Sequence, residues 1–151
     1  MSKCFLIILV CSTIISNSCL IDRKVDPYSS DRAKKYTSLK KALKHKNEVE
    51  ILSLYGKGYT EFPKEILEFK NLTKLNLTHN QLKEIPPEIA QLKQLERLDL
   101  LHNQLTDLPP EISQLKALRM ITLAYNPIDY EDIAELDKKM TDCLFVLYIE
   151  I

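Results

Sequence analysis

From Val49 onward the apolar residues keep a fixed step: Val49, Leu72, Leu95 and Leu118 stand 23 residues apart. Within each step the same positions return. One stretch reads Leu72-x-x-Leu75-x-Leu77-x-x-Asn80-x-Leu82, and the next Leu95-x-x-Leu98-x-Leu100-x-x-Asn103-x-Leu105. Both run on alike, through Ile85-Pro86-Pro87-Glu88-Ile89 to Leu92 and through Leu108-Pro109-Pro110-Glu111-Ile112 to Leu115. A fourth opens with Leu118, Ile121, Leu123, Asn126 and Ile128. Such a period marks coils that stack in a row. Leu75 and Leu77 are two apart, so a strand there turns both inward and leaves Lys74, Asn76 and Thr78 on the other side. Pro86 and Pro109 have fixed φ and no N–H, which suits a return segment or a helix start. Glu88 and Glu111 then fall where a first helical turn favours acid. An amide both donates and accepts, so Asn80, Asn103 and Asn126 are expected to form a structural ladder between neighbouring coils.

A single coil cannot bury enough apolar surface to order itself, so the ends of the stack need different residues. The first coil has Lys57 where the others have asparagine, Tyr59 and Phe62 where they have leucine, and Gly56 and Gly58 beside the turn. After Asn126-Pro127 the pattern stops. Asp129 is expected to cap a helix that turns Ile133, Leu136 and Met140 inward, and the apolar run from Cys143 to Ile149 predicts one closing strand. Before the first coil, Ala33, Tyr36, Leu39 and Leu43 recur at steps of three and four. That spacing predicts an amphipathic cap helix over residues 31–48, with Asp31 at its start. Its lysines read as a solvated face, or as a face suited to anionic membrane.

The coincidence of period, leucines, asparagine and proline resembles the leucine-rich repeat, over about residues 49–128. The YTSLKKAL stretch, the closing helix, the cysteine and the last strand resemble leucine-rich-repeat lipoproteins and secreted proteins of pathogenic spirochaetes. The resemblance implies an α/β solenoid: a right-handed coil with a short parallel sheet, an N-terminal cap helix and a helix-strand cap over residues 129–151. It also implies a concave face that holds a protein or peptide. The period names that face row by row. The first row is Ile51, Lys74, Arg97 and Met120, and the second Ser53, Asn76, Asp99 and Thr122. Tyr55, Thr78, Leu101 and Ala124 follow, with Gly56, His79, His102 and Tyr125 on the rim. Exposed Ile51, Leu101, Met120 and Tyr125 suit a protein partner, because long and aromatic side chains carry such interfaces.

The first residues read as an address. Lys3 precedes an apolar run from Phe5 to Ile15, shorter than the roughly 20 residues a spanning helix needs. A positive start, a short apolar run and small residues predict a signal peptide over residues 1–18. Ile15-Ser16-Asn17-Ser18-Cys19 resembles the lipobox of bacterial lipoproteins, although Ser16 stands where that motif usually has leucine. The resemblance implies lipidation of Cys19, a tether over residues 19–30 and a membrane anchor at the outer membrane or cell surface. The other expectation is a secreted or periplasmic structural or signalling adaptor.

Composition narrows the chemistry. Lys plus Arg and Asp plus Glu are equal at 21 each, so no global field draws the chain to nucleic acid. Two glycines argue against Gly-rich phosphate loops. His79 and His102 share a position in adjacent coils, yet a metal site needs three or four ligands and the row offers no further one. No nucleophile stands with a base and an orienting group, and Cys143 lies in an apolar run that holds it as thiol. The expectation is a monomeric binding protein without catalysis, metal or cofactor.

Overall fold

Three extended residues open each coil, and the 23-residue step brings them side by side. In the computed structural model, which describes residues 33–147, the strands are β1 (Lys35–Tyr36), β2 (Ile51–Ser53), β3 (Lys74–Asn76), β4 (Arg97–Asp99), β5 (Met120–Thr122) and β6 (Leu144–Val146). They form one parallel sheet in sequence order. Ile51 pairs with Lys74, Lys74 with Arg97, and Arg97 with Met120. An equal step gives an unshifted register, so every outward row runs straight across the sheet. The expected leader, Cys19, the tether and Asp31 lie outside the described residues, as does the end of the closing apolar run.

On the inner side Leu52, Leu75, Leu98, Ile121 and Phe145 form one buried column, and Leu54, Leu77, Leu100 and Leu123 a second. The return path closes the core with Ile66, Ile89 and Ile112, each carried on a five-residue 3-10 turn: Lys64–Glu68, Pro87–Gln91 and Pro110–Gln114. Proline opens the last two, where a missing N–H costs nothing. A 3-10 turn is tight and used in short pieces, which suits a return this brief better than an α-helix.

The asparagines tie coil to coil. Asn103 Nδ2 donates to Leu77 O at 3.0 Å and Leu100 O at 2.9 Å, while its Oδ1 accepts from Leu82 N at 3.1 Å. Asn126 repeats the set one coil on, with Leu100 O, Leu123 O and Leu105 N. Asn80 does so one coil earlier, donating to Leu54 O and Leu77 O and accepting from Lys57 N and Tyr59 N. Each amide thus satisfies backbone groups that the turn leaves without ladder partners.

The N-terminal end differs from the expected helix. Helix α1 spans only Leu39–Ala42, continued by a 3-10 segment at Leu43–Glu48, and Ser38 before it is extended. Residues 35 and 36 instead form β1, with Lys34 O accepting from Glu50 N and Ile51 N. Without β1 the long edge of β2 would present unpaired backbone groups, and covering that edge outweighs a short helical stripe. At the other end α2 spans Tyr130–Lys139, opened by a reciprocal capping box between Asp129 and Asp132. Ile133, Leu136 and Met140 are buried, and β6 pairs with β5. Among the described residues no helix is long and apolar enough to cross a membrane.

Candidate functional site

The outer face of the sheet is built by the residues that alternate with the buried leucines. Of those expected there, Tyr55, His79 and Tyr125 are exposed. Ser53, Lys74, Asn76, Arg97, Leu101, His102, Met120 and Thr122 are half-buried. Four residues expected on this face are buried, and Ala124, at 1% exposed, is one of them. Ile51 is 1% exposed, because β1 makes its strand an internal one and the register sets it between Lys35 and Lys74. Thr78 is buried where the turn tightens, its N–H held by Asn76 Oδ1 at 2.8 Å and its carbonyl by Gly56 N. Asp99 is buried under its own partners.

Those partners make the most ordered polar group on the face. Arg97 Nε donates to Asp99 Oδ2 at 2.8 Å and Oδ1 at 3.1 Å, and Thr122 Oγ1 donates to Oδ1 at 3.0 Å. Burial pushes the Asp99 carboxyl up to about 6, with the Thr122 hydroxyl pulling the other way. Burial also lowers Arg97. Desolvation therefore works against both charges, and the pair holds its place at a cost in stability. Two residues apart on one strand, Arg97 and Asp99 share a face; that spacing was the signal in the sequence that could have found the pair.

Along the rim runs a ladder of rings. His79 and His102 stack with centroids 4.2 Å apart, and His102 and Tyr125 at 4.1 Å with planes 1° apart. Tyr55 adds an edge-on contact to His79 at 5.0 Å. His79, His102 and Tyr125 have φ of 57°, 53° and 57°, the left-handed region, and Gly56 holds the same place in the first coil at 61°. There the ring comes from the preceding residue, so Tyr55 joins the row one position early. Stacked imidazoles direct their in-plane lone pairs side by side and do not converge on one ion. Among the described residues no group of three His, Cys, Asp or Glu is placed to hold a metal.

The remaining chemistry is quieter. Lys34 pairs with Glu48 at 2.5 Å, and Lys46 pairs with Glu68 of the first coil, so part of the lysine-rich cap is neutralised. The Lys34 hydrogen bond holds the Glu48 carboxyl below its ordinary value. Burial pushes the Cys143 thiol up to about 12, which keeps it protonated and unreactive.

Parallel strands in unbroken register, an asparagine at the turn of the second, third and fourth coils and a short helical return define a leucine-rich-repeat solenoid. Residues 70–128 match the family model described as leucine rich repeat. The chain is a leucine-rich-repeat protein. It is similar to the solved structure of a Leptospira interrogans leucine-rich-repeat protein, with 40% identity over 74% of this chain and a TM-score of 0.64. An internalin of Listeria monocytogenes shares the fold at 23% identity over 78% of the chain, TM-score 0.58. TLR13, solved in complex with ssRNA13, aligns at 25% identity over 66% of the chain, TM-score 0.59. The chain spans 28%, 33% and 15% of the lengths of these three proteins. A search of curated proteins found no match.

Proposed function

We propose that the chain is a non-catalytic binding protein that holds a protein or peptide on the outer face of its sheet. The carrying observation is the face itself: rows of side chains in straight register, mixing half-buried Leu101 and Met120 with Arg97, Asn76 and Thr122 and bordered by exposed Tyr125. Large side chains of this kind supply most of the binding energy in protein interfaces. Six strands about 4.8 Å apart make a face roughly 24 Å across, enough for a peptide or a loop of a larger partner. The anchor belongs to the same proposal. The apolar run of residues 5–15 and Cys19 fit export followed by lipidation, which would display the face on the cell envelope.

A photo-crosslinking amino acid at Met120 should trap a partner, whereas the same group at Lys93, on the return side, should not. Equal trapping at the two positions would remove the sheet face from the proposal. Protease treatment of intact cells should consume a surface-displayed chain, and protection would favour the periplasmic adaptor. Radioactive palmitate should label the wild type and spare Cys19→Ser.

A further inference from the structure

We infer that the basic N-terminal cap is a docking face for an anionic lipid surface, held through Lys40, Lys41 and Lys44 without insertion. This rests on the envelope-anchor reading above and names the surface that the solenoid meets. Residues 33–48 carry six lysines against Glu48 alone. Salt bridges use part of that excess, Lys34 to Glu48 and Lys46 to Glu68 of the first coil. Lys40, Lys41 and Lys44 are exposed and have no side-chain partner among the described residues. Helix α1 and the 3-10 segment after it turn Leu39, Ala42 and Leu43 toward the core, at steps of three and four, so the lysines between them face outward.

Packing decides the mode of contact. Leu39 and Leu43 pack on the core, and Tyr36 stacks on His45. The cap's large apolar side chains are thus committed, and neither entry into a bilayer nor stacking on nucleic-acid bases has side chains to use. What remains is three point charges on flexible stems. A lysine ammonium lacks the planar fork that selects one carboxylate, and it fits a diffuse layer of anionic headgroups. The far cap makes the docking directional. Residues 129–142 carry six acids against two lysines. Six strands about 4.8 Å apart separate the caps by roughly 24 Å, against a Debye length of about 8 Å at physiological salt. The acidic end therefore does not cancel the basic one, and the same surface repels it. The solenoid stands end-on with its N-terminal cap down, which leaves the outer face of the sheet clear of the lipid.

The test sediments the full-length chain with phosphatidylcholine vesicles that contain or lack phosphatidylglycerol. The readout is the ratio of the two affinities, from which the apolar run of residues 5–15 drops out because it contributes alike to both. A lysine near an anionic surface is worth about fivefold at low salt, so Lys40→Gln, Lys41→Gln and Lys44→Gln together should lower the ratio about a hundredfold. Lys64→Gln, Lys83→Gln and Lys93→Gln change the net charge equally at exposed sites elsewhere, and should leave the ratio unchanged. Salt at about 1 M, where the Debye length is about 3 Å, should abolish the wild-type preference. If the triple cap variant fails to fold, Lys44→Gln alone carries the test, with about a fivefold loss expected. Equal losses in the two triple variants, or a wild-type ratio near one, would overturn this inference and leave palmitate labelling to decide the anchor. Unlabelled Cys19 would strike the anchor reading instead, without moving the vesicle ratio. Head-to-tail association of chains in solution, removed by the same cap substitutions, would assign the cap to a second copy and overturn the lipid.

Discussion

The central coils and the two ends solve the same problem with different residues. In the middle, Asn103 bonds to the coil before it and to its own strand, and identical groups one coil away are served by Asn80 and Asn126. Every central coil has a neighbour on each side, so one set of bonds serves them all. The first coil has Lys57 where asparagine would stand, and its turn relies on Gly56 and Gly58 at φ of 61° and 73°. Beyond it β1 covers the sheet edge, while at the far end α2 and β6 do so. An end has a partner on one side only and must supply a different surface on the other.

The largest effect should come from the central core. Leu98→Ala removes a fully buried side chain and should cost about 2–5 kcal/mol in urea unfolding, as one cooperative loss across the coils. Ile133→Ala in α2 is equally buried, yet its damage should concentrate at the end, as faster amide exchange in α2 ahead of global unfolding. Equal exchange across all coils would erase the distinction between middle and end.

The asparagines give a finer comparison. Asn103→Ala leaves Leu77 O, Leu100 O and Leu82 N without this partner in a buried turn, and should cost about 2–4 kcal/mol. Asn126→Ala breaks an equivalent set at a half-buried site nearer the end. Water reaches that site more easily, so the expected cost is about 1–2 kcal/mol by the same unfolding measurement.

Asp99 tests the outer face through pH. Its carboxyl is raised from 3.8 to about 6, so the folded state favours the protonated form. That contribution is fully present below pH 3.8 and is lost as pH rises through about 6. Relative to Asp99→Asn, the wild type should therefore lose stability between pH 4 and pH 7, by at most about 3 kcal/mol for a shift of this size. Urea midpoints of both proteins at the two pH values check this, and a constant difference would contradict it.

The smallest effect belongs to the rim. His79→Gly relieves a left-handed residue while losing ring contacts of about 0.5–1.5 kcal/mol, and the two should nearly cancel. His79→Val keeps the strained φ and adds a branched Cβ, so it should lower the melting temperature measurably where glycine does not.

Much of the solenoid was legible because translation along a stack needs only one rule repeated. Equal spacing of Leu75, Leu98 and Ile121 sets the core column, and the same spacing carries Lys74, Arg97 and Met120 onto one outer row. Asparagine at the turns after the first coil and proline at the returns follow from hydrogen-bonding capacity and fixed φ, which are properties of the residues themselves. The tertiary structure decided what no period encodes. Residues 35 and 36 became a strand because the edge of β2 was there to be covered, and Ile51 was buried as a consequence. Asp99 sank beneath Arg97 and Thr122, and Tyr55 reached into the histidine row from one residue early. These outcomes depend on which side chains from different coils meet, and that is settled only when the coils are stacked.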